Sequence, residues 1–428
     1  LSLSFRLRSG PTKLRDSLKQ SGVPDLRRNY ALQLIAGGFL FIAIQFGNTR
    51  LVVPWIGAHL GVAYLLVAAI LPVLQLGQIV GQLGSAPYIA RARTSKTSVV
   101  ATSLMLAVAL AAVIVAVKTL PAQVAAVVLL LCMLVFGACH GALNVGYENL
   151  LAHTIVPRVR GRLMADRASL GGLVAVLLGL LVMLLPADDR NGDDVLWWAV
   201  AGWLGMMLAY AALREPACER LTEPFSWQEL LRGLRLIGVY RWYRDLLLAN
   251  TLLLSVELAI PFYAIHAATL TDVGTGNVTL FVITSSVGVL ISGLLWKAFS
   301  VRGRIIAGAM VCALGGALTF LVQGVDHGNI PYYYAFLFIL LTLGEQGSIQ
   351  GRLTYLDNRA PEHDRPILVA TTSTAGWVVG IGVSAVLAAA GSLSDIRTPL
   401  VILIFFNLAS ALYVWRTLEP DDIPAVAA

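Results

Sequence analysis

The sequence predicts an all-α membrane protein, with twelve transmembrane helices arranged as two pseudo-symmetric six-helix bundles. Three observations carry this. Apolar residues make up 57% of the 428-residue chain and charged residues only 13%, with a mean hydropathy of +0.77. A water-soluble domain of this size needs far more polar surface. Apolar stretches of about 20 residues, long enough to cross a bilayer, recur along the chain. They are continuously apolar rather than alternating, which selects helices over a barrel.

Taken in order, the expected spans are 31–57, 62–85, 98–118, 122–147, 168–186, 195–213, 246–268, 277–299, 304–323, 331–350, 367–391 and 397–416. They divide the chain into an N-terminal tail (1–30), a first bundle (31–213), a central loop (214–245), a second bundle (246–416) and a C-terminal tail (417–428). The later part of the central loop has Trp227, Leu230, Leu231, Leu234 and Ile237 at helical spacing, with Arg232 and Arg235 between them. That pattern predicts an amphipathic surface helix.

The placement of charge supports the same topology. With the first tail inside, 27 of the 31 Lys and Arg residues fall in cytoplasmic segments. Lys118, Arg190 and Arg397 fall outside, and Arg50 lies within a span. This positive-inside bias predicts both termini in the cytoplasm, in a cell (inner) membrane. It also accounts for the net charge of +7 without nucleic acid as a partner. Cys132, Cys139 and Cys312 lie in spans and Cys218 in the central loop, with no disulfide or metal-ligand spacing. No metal site and no cofactor are expected. The basic N-terminal tail has no apolar core of the kind a secretory signal needs.

The two halves repeat each other. Residues 50–59 read RLVVPWIGAH and residues 257–266 read ELAIPFYAIH. GQLGSAPYIARAR after span 2 is echoed by GLLWKAFSVRGR after span 8, and PRVRGRLMA after span 4 by PEHDRPILVA after span 10. Parallel repeats of this kind are one way of building a transporter. Together with the six-plus-six spans, the long central loop and the basic 2–3 and 8–9 loops, these segments make the chain resemble the major facilitator superfamily. The family's 2–3 loop reads like G-x-L-A-D-R-x-G-R-R. Here the matching stretch begins Gly81, Gln82, Leu83, Gly84, Ser85, Ala86, Pro87, Tyr88. Ser85 stands in place of the family's Asp and Tyr88 in place of a Gly, so the latch made by that Asp is not carried over.

An ionised side chain at mid-bilayer costs about 2.5–3.5 kcal/mol on insertion scales, so such residues face a bundle interior or a cavity. Four stand well within spans: Arg50 in span 1, His140 in span 4, Glu257 in span 7 and Glu345 in span 10. The resemblance implies that spans 1, 4, 7 and 10 line a central cavity. Gln45 and Asn48 on span 1, Gln346 on span 10, and the Gln75, Gln78 and Gln82 stripe on span 2 are softer candidates for substrate contact. On an ideal helix Asn48 and Arg50 point about 160° apart, so both face one cavity only if the helix is distorted. Arg50 and Glu257 either pair with each other, each pair locally, or meet substrate and protons, unless Arg50 lies near the outer interface. His140 is either a relay or a hydrogen-bond partner for a neighbouring helix. Glu148 and Arg352, near the cytoplasmic ends of spans 4 and 10, are expected as a gate or an interface pair.

Pro54 and Pro261 each deprive the carbonyl four residues earlier, on Arg50 and Glu257, of its helical partner, which predicts kinks facing each other across the cavity. Gly77 and Gly81 on span 2, and Gly376 and Gly380 on span 11, have the spacing for close helix approach. The resemblance implies that spans 2 and 11 meet between the halves, where these glycines would permit sliding or simply pack. His59, His266, Trp55, Trp197 and Trp198 are expected at the membrane surface.

The sequence contains no GxxxxGK[ST], HExxH or GxSxG, which removes the usual signs of an ATP-driven motor or a hydrolase. The chain is expected to be a non-enzymatic secondary active transporter of a small solute. It would work by alternating access, with protons as the coupling ion and Glu257 or Glu345 as proton carrier. A transporter-like sensor or membrane assembly component without flux is the alternative, and a lipid-handling protein a third.

Overall fold

The computed structural model describes residues 25–92, 94–184, 195–215, 227–271, 275–361 and 364–419. The secondary structure of these residues is helical. The elements are α1 (Leu26–Phe46), α2 (Val52–His59), α3 (Tyr64–Ala68), α4 (Ile70–Arg91), α5 (Lys96–Thr119), α6 (Ala122–Thr154), α7 (Pro157–Leu184) and α8 (Val195–Ala211). After the central loop come α9 (Trp227–Val239), α10 (Arg241–Ala268), α11 (Thr275–Leu295), α12 (Val301–Thr319), α13 (Ile330–Arg359), α14 (Arg365–Leu393) and α15 (Thr398–Thr417).

Nine stretches of described helix are long and apolar enough to cross a membrane, and two shorter apolar helices lie at Leu170–Leu184 and Val195–Ala211. The 30-residue α13, whose hydropathy is interrupted by Glu345 and Arg352, completes the twelve. Large apolar side chains such as Leu131, Leu181, Leu294, Val386 and Phe405 are exposed on these helices. That is costly in water and expected against lipid.

Apart from α2, α3 and α14, which pack at least as much across the halves, helices α1 to α8 pack chiefly on one another, as do α10 to α15. The halves meet where α7 packs on α11, α4 and α3 on α14, and α2 on α10. The amphipathic helix α9 lies against α14, with Leu236 and Ile237 packed on the second half's core. Its backbone is pressed on α14 at Gly233, where a Cβ would collide with Thr371. Buried Asp364, preceding α14, accepts hydrogen bonds from Arg232 of α9 (2.9 Å) and from the Tyr240 hydroxyl (3.0 Å).

The first half has its own polar clamp at the equivalent end. The Glu215 carboxylate, with a side chain only 1% exposed, accepts from the backbone amides of Ser95 (2.9 Å) and Lys96 (2.8 Å). A carboxylate there satisfies orphan donors at the start of α5 and opposes the positive end of its dipole.

The structure bears on three sequence expectations. The first concerns the prolines. Span 1 is broken, but ahead of Pro54: α1 stops at Phe46 and α2 restarts at Val52. Pro54 falls in the first turn of α2, where a missing N–H costs nothing. In span 7, Pro261 lies in the interior of α10, where it leaves the Glu257 carbonyl without its helical partner. The second concerns Gly77 and Gly81. They pack within the first half against α6, where a Cβ on either would collide with backbone around Leu134 and Ala138. Gly137 and Gly141 of α6 return the contact against Leu74 and Gln78 of α4. On span 11, Gly380 faces the Gln75 side chain across the halves, and Gly376 has open space beside it. The third concerns surface placements: Trp55 is 1% exposed and His266 is 3% exposed, so both are core residues. Trp197 is exposed and Trp198 intermediate, as expected of the surface.

Candidate substrate site

The break in span 1 is built by two residues. Gly47 closes α1 with its amide on the Ala43 carbonyl, and a Cβ there would press on Ala43 and Ala199. The side chain of Asn48 then accepts from the amides of Arg50 (3.0 Å) and Leu51 (3.1 Å), while its carbonyl accepts from Val52 (2.8 Å). Asn suits such a turn because its short amide imitates the backbone. The break removes the 160° conflict: Asn48, Thr49 and Arg50 all line one cavity.

That cavity, of about 310 Å³, lies between the halves, a size within the range that accepts small ligands. Of the sequence candidates it holds Gln45, Asn48, Arg50, His140, Glu345 and Gln346, together with Gln75 and Gln78 of the span 2 stripe. Gln82 is not part of its lining. Glu257 and Gly376 line a second, smaller cavity of about 190 Å³ with Asn250 and Arg352. Ile349 and Trp377 form walls of both.

A chain of four charges links the two cavities. Arg50 of the first half donates to Glu345 at 2.5 Å and stands 4.0 Å from Glu257. Glu257 in turn pairs closely with Arg352, whose other terminal nitrogen lies 3.4 Å from the side-chain Oδ1 of Asn250. The four charges sum to zero. The opposite charges of the two repeated phrases are thus neighbours, but the nearest partner of Arg50 is Glu345 and that of Glu257 is Arg352. The expected Glu148–Arg352 pair is not formed: Arg352 turns inward to Glu257, while Glu148 is exposed on α6. His140 lies 3.3 Å from Gln78 through Nδ1 and stacks on Phe136, which matches the neighbouring-helix expectation.

Polar contacts across the halves also occur at the α2 end of the bundle. The ring of His59 lies 2.9 Å from the Trp55 carbonyl through Nδ1 and 3.1 Å from the Thr271 carbonyl through Nε2. His266 is bonded to the Tyr334 hydroxyl within the second half. Sequence reasoning missed Trp203 and Trp377 as cavity walls, and Arg352 as a member of the charge chain. A signal existed for Arg352: it stands seven residues, two helical turns, after Glu345.

A family model described as Major Facilitator Superfamily matches residues 35–367. Uncharacterized proteins from Mycobacterium tuberculosis and Mycobacterium bovis are 24% identical over 360 residues, covering 81% of this chain and 69% of theirs. Among solved structures, a D-xylose-proton symporter superposes with a TM-score of 0.69 at 14% identity, covering 91% of this chain and 98% of that one. A bacterial homologue of the iron transporter ferroportin in an inward-facing state gives 0.66 at 14% identity, covering 92% and 99%. At such identities the likeness shows the fold alone.

Proposed function

Because the chain belongs to the major facilitator superfamily, we propose that it is a secondary active transporter which moves a small solute by alternating access, coupled to protons. The observation that carries this reading is the Arg50–Glu345 pair, a salt bridge between the two halves set in the wall of the cavity they enclose. A pair in that position acts as a lock. A proton delivered to Glu345 cancels its charge, weakens its hold on Arg50 and frees the halves to rock. Glu257 is the second carrier, because it lines the smaller cavity and stands between Arg352 and the Arg50 of the larger one.

The positive-inside orientation would place the α2 end outside. There His59 on Thr271 and α3 on α14 hold the halves together, which supports an external gate closed in this conformation.

The test is flux in proteoliposomes under an imposed pH gradient. Glu345→Gln and Glu257→Gln are each expected to abolish gradient-driven accumulation while leaving the protein folded. If both variants accumulate solute like the parent, proton coupling through these carboxylates is wrong.

A further inference from the structure

At the end of the bundle that the charge bias places in the cytoplasm, several arginines are engaged by the protein itself. Arg214 pairs with Asp25, Arg232 with Asp364 and Arg359 with Glu419, while Arg302 and Arg304 donate to backbone carbonyls. The corner where α9 runs into α10 beside α15 is different. Arg241, 88% exposed, and Arg244, 55% exposed, share only Asp245, at 4.0 and 3.9 Å. Those distances are long for a charge-assisted hydrogen bond. Arg235 of α9 is exposed and has no partner among the described residues. Three guanidinium groups against one carboxylate leave this corner positive.

The faces that carry these cations continue into the bilayer. Arg241, Arg244, Leu248 and Thr251 fall at i, i+3, i+7 and i+10 on one face of α10, and all four are exposed. Leu248 lies about 6 Å along the helix from Arg244, so the arginines stand one turn from apolar surface that faces lipid. Helix α15 runs antiparallel beside α10: the Ser255 hydroxyl donates to Asn407 Oδ1 at 2.5 Å, and Tyr243 and Leu246 share a core cluster with Val414 and Leu418. Leu408, Leu412 and Trp415 of α15 are exposed, and Trp242 of α10 is partly so. On α9, Leu234 and Val239 are exposed on the side away from the docked Gly233, Leu236 and Ile237.

We propose that this corner binds the phosphate headgroup of an anionic phospholipid in the cytoplasmic leaflet, held by Arg235, Arg241 and Arg244 and flanked by Trp242 and Trp415. The guanidinium fork suits a phosphate, and tryptophan suits the headgroup level of a bilayer. A soluble acidic partner would answer the arginines but leave Leu248, Leu412 and Trp415 uncovered. A phospholipid answers both, with its phosphate on the cations and its chains on the leucines. A zwitterionic lipid brings a second cation into a corner that is already positive, which selects the anionic class. The site lies on the outer surface of the bundle and does not depend on the transport reading.

The experiment is native mass spectrometry of the purified full chain in uncharged detergent, with dioleoylphosphatidylglycerol, dioleoylphosphatidylcholine or inorganic phosphate added. We expect the phosphatidylglycerol adduct at a concentration at least about tenfold below that needed for phosphatidylcholine. Arg241→Gln combined with Arg244→Gln should weaken phosphatidylglycerol binding about twentyfold, at about fivefold for each cation near a membrane surface. Lysine at both positions should keep most of the binding, because the charge remains. Arg235→Gln, with a loss of about fivefold, serves should the double variant misfold. Lys297→Gln removes an exposed cation of the 8–9 loop and should change nothing. The inference is overturned if phosphatidylcholine binds as tightly, if the glutamine variants bind phosphatidylglycerol like the parent, or if Lys297→Gln loses as much as they do. It is also overturned if inorganic phosphate takes the site and excludes the lipid, which would make the ligand a free anion.

Discussion

Replacing Arg50 with methionine leaves Glu345 and Glu257 facing each other without the cation between them. The Glu345 side chain is only 8% exposed, so water cannot compensate its charge. At an effective dielectric of 20, the 4.0 Å approach to Glu257 corresponds to about 4 kcal/mol of attraction and the 2.5 Å contact with Glu345 to about 7 kcal/mol. Most of that offsets the desolvation of the ions, so the net loss expected for Arg50→Met is about 3–5 kcal/mol, the cost of a buried charge stripped of its partner. Glu345→Gln is milder: Arg50 is 34% exposed and keeps Glu257 within 4.0 Å, so the expected loss is about 1–2 kcal/mol. In the double variant the stranded carboxylate is gone, and about 2–3 kcal/mol of the Arg50→Met penalty should return. Unfolding by denaturing detergent in mixed micelles, followed by tryptophan fluorescence, gives all corners of the cycle. A coupling below about 0.5 kcal/mol, or an Arg50→Met variant no less stable than Glu345→Gln, would refute the electrostatic reasoning.

Further outcomes follow from packing and capping. Gly81→Ala should destabilise the first half by about 1–3 kcal/mol, because the new methyl meets the Ala138 backbone, whereas Gly376→Ala should be neutral or stabilising by up to about 1 kcal/mol. Thermal shifts of the two variants compare them directly. Glu215→Ala should cost about 1 kcal/mol and raise hydrogen exchange in the first turn of α5, because the amides of Ser95 and Lys96 lose their acceptor. The Tyr240 hydroxyl donates to Asp364, which raises its pKa above the ordinary 10.0 in the folded state. The folded protein therefore holds this proton more tightly than the unfolded chain does. The docking of α9 gains from it below pH 10 and loses that gain as pH rises through the folded pKa. Limited proteolysis of the central loop should accelerate there, and Tyr240→Phe should remove that part of the pH dependence.

The spans were legible because lipid imposes one simple demand, a length of apolar helix, and α13 shows that even a span carrying charges can be placed by its neighbours. The charged residues Arg50, Glu257 and Glu345 were legible as a group because a charge in a span is expensive and so stands out. Their pairing was not legible. Which carboxylate meets Arg50 depends on the rotation of each helix, and here on a break set by Gly47 and Asn48, whose side-chain turn leaves no periodic trace. A proline's effect depends on its distance from the helix start: Pro54 falls in the first turn of a helix that restarts after a break, whereas Pro261 lies deep inside one. Gly77 and Gly81 announced a close approach but not to which helix. The same spacing at Gly137 and Gly141 held the answer, since two small faces fit each other more closely than either fits a bulky one. His266 and Trp55 look like residues for the bilayer surface by type, but the fold buries both, one of them on a tyrosine.

The break in span 1 has a mechanical consequence. Arg50 stands in the short joint between α1 and α2, and α2 is the segment that docks on α10 and carries His59 to Thr271. Its counterpart in the second half lies inside one continuous helix, Arg241–Ala268, that carries Pro261 in its interior. One copy of the repeated phrase therefore spans a break between two helices, and the other lies within a single helix. Any swing of α2 turns the joint and displaces the guanidinium relative to Glu345 and Glu257. On the proposed alternating access, opening the cavity at this end and rearranging its charges would be a single displacement.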